Sequence, residues 1–105
     1  MNKVVLVGRL TKDLELKANP GGTHVCSFTV AVNRAFVKQG EERQTDFINC
    51  VAWRHTAEFI CKHFAKGHMI AVSGAMQTRT WEDKDGRRQY MTEVVVDSAS
   101  FCDSK

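Results

Sequence analysis

The sequence predicts an all-β protein with one inserted helix. Three observations carry this. Apolar and polar residues alternate with a period of two over most of the chain. Turn signals at Pro20-Gly21-Gly22, Gly40 and Asp85-Gly86 separate the alternating runs. Only "RHTAEFICKHFAKG" changes to a helical period.

"VVLVGRL" is the first strand, with Gly8 marking a bulge or a close backbone approach. "KANPGGTH" is a turn. "VCSFTVAVNR" alternates, with Cys26, Phe28, Val30 and Val32 on one face. "VKQGEERQT" is polar around Gly40 and reads as an extended hairpin tip. "DFINCVAW" is the next strand. Ile48, Cys50 and Ala52 share its small apolar face; Phe47, Asn49, Val51 and Trp53 share the other. In the helix, Ala57, Ile60, Cys61 and Phe64 recur at i, i+3, i+4, i+7, and Gly67 is placed as its stop. "HMIAVSGAM" returns to strand, Asp85-Gly86 turns a hairpin, and "YMTEVVVDSASF" closes as strand.

The order is three strand regions, a helix, then two strands. A five-stranded Greek-key barrel with its helix between strands 3 and 4 is the OB-fold arrangement. A small open sheet with the helix across one face is the alternative, and periodicity does not separate the two. The 105 residues suit one domain over 1–105, with 103–105 as a flexible tail.

Fifteen Lys and Arg against twelve Asp and Glu give a net charge of +3. That permits a polyanionic partner, but charge alone would hold it weakly at physiological salt. The apolar run at residues 4–7 is too short for an export signal or a membrane span, so the expected address is cytoplasmic and nucleoid-associated, without membrane contact. Cys26, Cys50, Cys61 and Cys102 form no C-x-x-C and no zinc-knuckle spacing, and the first two fall in apolar strand patterns as buried thiols. "WEDKDG" lacks the longer ligand loop and closing Glu of a calcium site and reads as a solvated hairpin tip. No metal and no cofactor is expected. His24, His55, His63 and His68 are scattered, with no nucleophile or carboxylate placed by motif beside any of them, so an enzyme is not expected either.

The aromatics carry the functional reading. Phe28, Phe59, Phe64 and Phe101 fit core or near-core positions. Four rings do not. Phe36 follows "NRA" and shares a strand parity with Arg34 and Lys38. Phe47 and Trp53 share the outward parity of their strand, and Arg54 follows Trp53. Trp81 shares its parity with Arg79. A single-stranded nucleic acid offers phosphates to cations and base faces to rings, so rings flanked by Arg or Lys suit it. Lys3, Arg9, Lys38, Arg87 and Arg88 are further candidate phosphate contacts. Phe47 and Trp53 are six residues apart, roughly 20 Å along a strand, so they mark two points on a path. Cross-strand pairing or an oligomer interface is the competing reading of any one outward ring.

The segments "NKVVLVGRLTKDLEL", "FTVAVNRAF", "TDFINCVAWRHTAEF" and "KGHMIAVSGAMQTRTWEDKDGRRQYMTEVVVDS" resemble, in order, those of bacterial-type single-stranded DNA-binding proteins. The resemblance spans residues 2 to about 101. It implies an OB-fold and a homotetramer that binds single-stranded DNA with little sequence preference in replication, repair and recombination. Its stacking positions fall on Phe36, Phe47, Trp53 and Trp81. Many members carry Trp at the first two and Phe at the third, the reverse of the order here. The outward Val5 and Val7 are expected to meet another subunit. Many members also end in an acidic tip that recruits replication and repair enzymes; this chain stops at "SFCDSK", as an isolated domain or a natural short form, and gives no support for recruitment through such a tip. An OB-fold adaptor like primosomal replication protein N is the alternative, and the full set of aromatics argues against it.

Overall fold

The structure, a computed structural model, describes residues 1–36 and 38–102; the expected tail at 103–105 lies outside the described residues. The strands are β1 (Val4–Leu10), β2 (Lys17–Ala18), β3 (His24–Asn33), β4 (Thr45–Trp53), β5 (Met69–Glu82) and β6 (Arg88–Phe101). One helix, α1 (Arg54–His63), joins β4 to β5 and so follows the third of the five long strands. The two-residue β2, paired with Val25 and His24 at the edge of β3, lies in a stretch that the sequence marks only as a turn.

The five long strands close. Their order is β1-β5-β6-β4-β3, and β3 pairs back onto β1 at Ala31 with Arg9 and Val30 with Leu10. This is a barrel with the OB-fold order, and the open-sheet alternative falls away. Gly8 makes the closure possible. A Cβ there would strike the Ala31 carbonyl oxygen, and would come within 2.7 Å of the Val30 side chain. Gly74 has the same use on the far side: it sits at the register shift between β5 and β6, against the Val95 carbonyl.

The inward parity fills the barrel with Leu10, Cys26, Phe28, Val30, Cys50, Ala52, Ile70, Val72, Val94 and Val96. Ala57 and Ile60 of α1 plug one end, fully buried. Burial pushes the Cys26 thiol up to about 12, helped by its hydrogen bond with Cys61, and pushes Cys50 up to about 12, helped by the charge of Glu93. Both thiols are therefore neutral core groups at physiological pH, as their strand parity predicts.

Three expectations need correction. The helix ends at His63, before Gly67, because Phe64 turns extended to bury its ring and its N–H still bonds the Ile60 carbonyl. Gly67 instead donates its N–H to the Leu10 carbonyl (2.8 Å) and leads the chain into β5. Phe59 and Phe101 are exposed, not core. They form the rim of a ring cluster in which Phe101 stacks on Phe64 at 4.8 Å and Phe59 meets it edge-on at 5.9 Å. Finally, β3 ends at Asn33, so Arg34, Phe36 and Lys38 share a loop and not a strand parity. Among the described residues no helix is long and apolar enough to cross a membrane.

Candidate nucleic-acid interface

β4 is the spine of the candidate face. It runs antiparallel to β3 from Val25 opposite Trp53 to Asn33 opposite Thr45. On its other side it runs parallel to β6, with Val51 beside Val95. Directly opposed residues share a sheet face. The outward face therefore carries Val25, Ser27, Thr29 and Ala31 from β3, then Phe47, Asn49, Val51 and Trp53 from β4. Val95, Glu93 and Met91 follow from β6, with Gln77, Arg79 and Trp81 from β5.

This face is grooved. One depression of about 450 Å³ is lined by Val25, Val51, Trp53, Gln77, Arg79 and Glu93 among others. A second, of about 240 Å³, shares Ser27, Arg79 and Glu93 and continues past Thr29, Asn49 and Met91 to Lys12 and Asp13. Val51 is outward by parity yet buried, because neighbours on both flanks turn it into the groove floor. Thr29 donates its hydroxyl to Asn49 Oδ1 at 3.4 Å, a long contact on that floor.

The rings differ in how they are held. Phe47 is 65% exposed opposite Ala31, and Trp53 is 42% exposed at the end of β4. Trp81 is 41% exposed, with the Arg79 guanidinium carbon 4.8 Å from its ring centroid. Such a cation–π contact is worth about 0.5–1 kcal/mol at an exposed site. Arg79 is tied in turn: its Nε donates to Glu93 Oε1 at 2.9 Å and its Nη2 to Met91 Sδ at 3.2 Å. Phe36 stands apart at 94% exposure, in a separate depression of about 200 Å³ with Arg34, Lys38 and Gln44.

The flanking cations are not alike. Arg34 grips Asp46 with two bonds, Nε and Nη2 to the two carboxylate oxygens, each 3.0 Å. The hydrogen bond from Arg34 holds the Asp46 carboxyl below the usual carboxylate range. Arg43 caps the same turn by donating to the Arg34 carbonyl at 2.9 Å. Arg54 opens the helix in a left-handed conformation, φ 56°, directly after Trp53. A positive φ is costly for a non-glycine residue, and here it swings the chain from strand to helix at the ring. Arg9 reaches the Gly67 carbonyl (2.9 Å) and so braces a loop. Lys3 lies 4.0 Å from Asp97. Arg87 and Arg88 flank the hairpin tip, Arg88 opposite Glu82.

That tip is built by Asp83. Its carboxylate accepts from the Asp85 and Arg87 amides and from the Gln89 side chain, each at 2.9 Å. The acidic "WEDKDG" is thus a hydrogen-bonded turn. Among the described residues no three His, Cys, Asp or Glu side chains gather so as to hold a metal.

The structure brings Trp53 and Arg79 to one groove, sets Trp81 against Arg79 and Phe47 on the same outward face, and leaves Phe36 with Arg34 and Lys38 on a loop. Sequence reasoning missed Glu93, Asp46 and the exposed Tyr90. The two carboxylates meet their arginines only through cross-strand register. Tyr90 could have been found by parity, as the outward partner of Thr80 on the reverse of the hairpin.

By architecture the molecule is an OB-fold barrel with an aromatic-edged groove across its β3–β4–β6 face. Residues 1–102 match the model of the single-strand binding protein family, and the chain belongs to that family. It is 53% identical over its whole length to single-stranded DNA-binding protein 2 of Listeria monocytogenes and 50% identical to the single-stranded DNA-binding protein of Bacillus cereus. It is also 50% identical to single-stranded DNA-binding protein A of Bacillus subtilis. All of this chain aligns in each case, but it spans only 66%, 62% and 61% of those proteins' own lengths.

Proposed function

We propose that this protein binds single-stranded DNA without base readout and shields it during replication, repair and recombination. The observation that carries the reading is that Phe47, Trp53 and Trp81 share one outward face by strand register, with Trp53 at the groove floored by Val51. Rings there offer stacking surfaces that any base accepts, at about 1–3 kcal/mol per base. The net charge of +3 is too small to supply that energy ionically. Phe36 adds a station on the β3–β4 loop, and Arg54, Lys38, Arg87 and Arg88 supply phosphate contacts. The relatives' names and the shared family support the same reading. No base-specific readout and no catalytic step is needed for it.

The working unit is a homotetramer. The exposed Val5 and Val7 of β1 are its expected contact surface, since paired outward valines on a barrel strand gain by burial. Sedimentation at micromolar concentration tests this part: a tetramer is expected, and a monomer contradicts it.

Both tryptophans of the chain are in the proposed site, so poly-dT should strongly quench intrinsic fluorescence. Unchanged emission at saturating polymer would overturn the reading.

A further inference from the structure

A carboxylate on the floor of a groove meant for a polyanion has the wrong sign. Glu93 is only 9% exposed, lines both depressions of the candidate face, and points its Oε1 at the Nε of Arg79. A buried charge of this kind is tolerated when it is paired. Its partner is held on three sides: by Glu93, by the Met91 sulfur and by the ring of Trp81. The guanidinium therefore stands over the indole face, its direction fixed before any ligand arrives.

We infer that Glu93 is a positioning residue that neutralises Arg79 and aims it as a stacking plate beside Trp81, so that Arg79 is not a phosphate ligand. This deepens the proposed function and rests on it. The consequence is specific. A cation that neutralises a phosphate releases counterions and steepens the salt dependence of binding, by about 0.7 in the log–log slope per contact on single strands. An arginine already neutralised by its own protein adds nothing to that slope. It contributes through its plane, which lysine lacks.

The test is the salt dependence of poly-dT affinity, read by tryptophan quenching, for the wild-type chain and three variants. The double variant Arg79→Gln/Glu93→Gln, which removes the pair and changes no net charge, should bind about three-fold more weakly, as loss of one exposed cation–π contact with a base implies, and keep the wild-type slope. Arg79→Lys should fall with it. Glu93→Gln keeps the shape and an acceptor but frees the guanidinium charge, so its slope should steepen by about 0.7. A slope flattened by that amount in the double variant would overturn the inference. So would wild-type affinity in Arg79→Lys, or an unchanged slope in Glu93→Gln. If a variant that carries Glu93→Gln fails a thermal melt, Arg79→Lys decides, since it keeps the charge pair and that side chain is largely exposed. A wild-type chain that shows no quenching fails at the first step, and then the proposed function itself falls and takes this inference with it.

Discussion

Two of the proposed ring stations are built in opposite ways. Trp81 stands on the paired part of the β5–β6 hairpin, opposite Gln89, with Arg79 against its face and Glu93 and Met91 behind Arg79. Phe36 stands on a loop at 94% exposure; the clamp next to it, Arg34 on Asp46, fixes the backbone two residues away but not the ring. The first station is ordered before binding. The second must be ordered by binding, which costs about 0.5–1.5 kcal/mol for one mobile side chain. Equal chemistry at two places should therefore yield unequal affinity.

Several experiments break or sharpen that contrast. The largest effect is expected at the spine: Trp53→Ala should weaken binding by about 1–3 kcal/mol for every base composition. A loss confined to one sequence would mean base readout. Trp81→Ala should come close to it, whereas Phe36→Ala should lose about 1 kcal/mol less than Trp81→Ala. Equal losses in an oligonucleotide titration would erase the distinction between held and loose rings. Asp83→Ala should cost about 1 kcal/mol of stability per hydrogen bond lost at the hairpin tip, seen as faster hydrogen exchange at the Asp85 and Arg87 amides. Unchanged exchange would mean that the turn does not depend on that carboxylate.

The smallest effect is a pH effect on the loop. The Asp46 carboxyl is depressed below its ordinary value by the hydrogen bond from Arg34. A depressed carboxyl contributes stability that is fully present above the ordinary aspartate value of about 3.9 and is lost as pH falls toward the lower folded value. The clamp should therefore hold at neutral pH and release only in acid below the usual aspartate range. Carbon-detected NMR of the Asp46 carboxyl reads this directly. A midpoint at or above the ordinary value would contradict the clamp.

Much of this face is legible in the sequence, and the gaps have a common cause. Parity alone puts Phe47, Asn49 and Trp53 outward and Ile48, Cys50 and Ala52 inward, because a strand's side chains alternate whatever lies beside it. Gly8 announces a close approach for the same local reason. Val51 defeats parity: its burial comes from Ser27 and Val95 on the flanking strands. The pairs Arg34–Asp46 and Arg79–Glu93 join residues 12 and 14 apart that meet only once β3 pairs with β4 and β5 with β6, which no local pattern encodes. Phe36 fails the other way, since alternation continues on paper past Asn33 while the strand does not.

The central claim is that a single strand passes every ring, so that the rings are stations along one path. Single-tryptophan chains, Trp53→Phe and Trp81→Phe, let each indole report alone while every station keeps a ring. Titrated with oligothymidylate, both should be quenched with the same midpoint, because one strand passes both. Quenching of one chain and not the other, or midpoints that separate, would contradict the path.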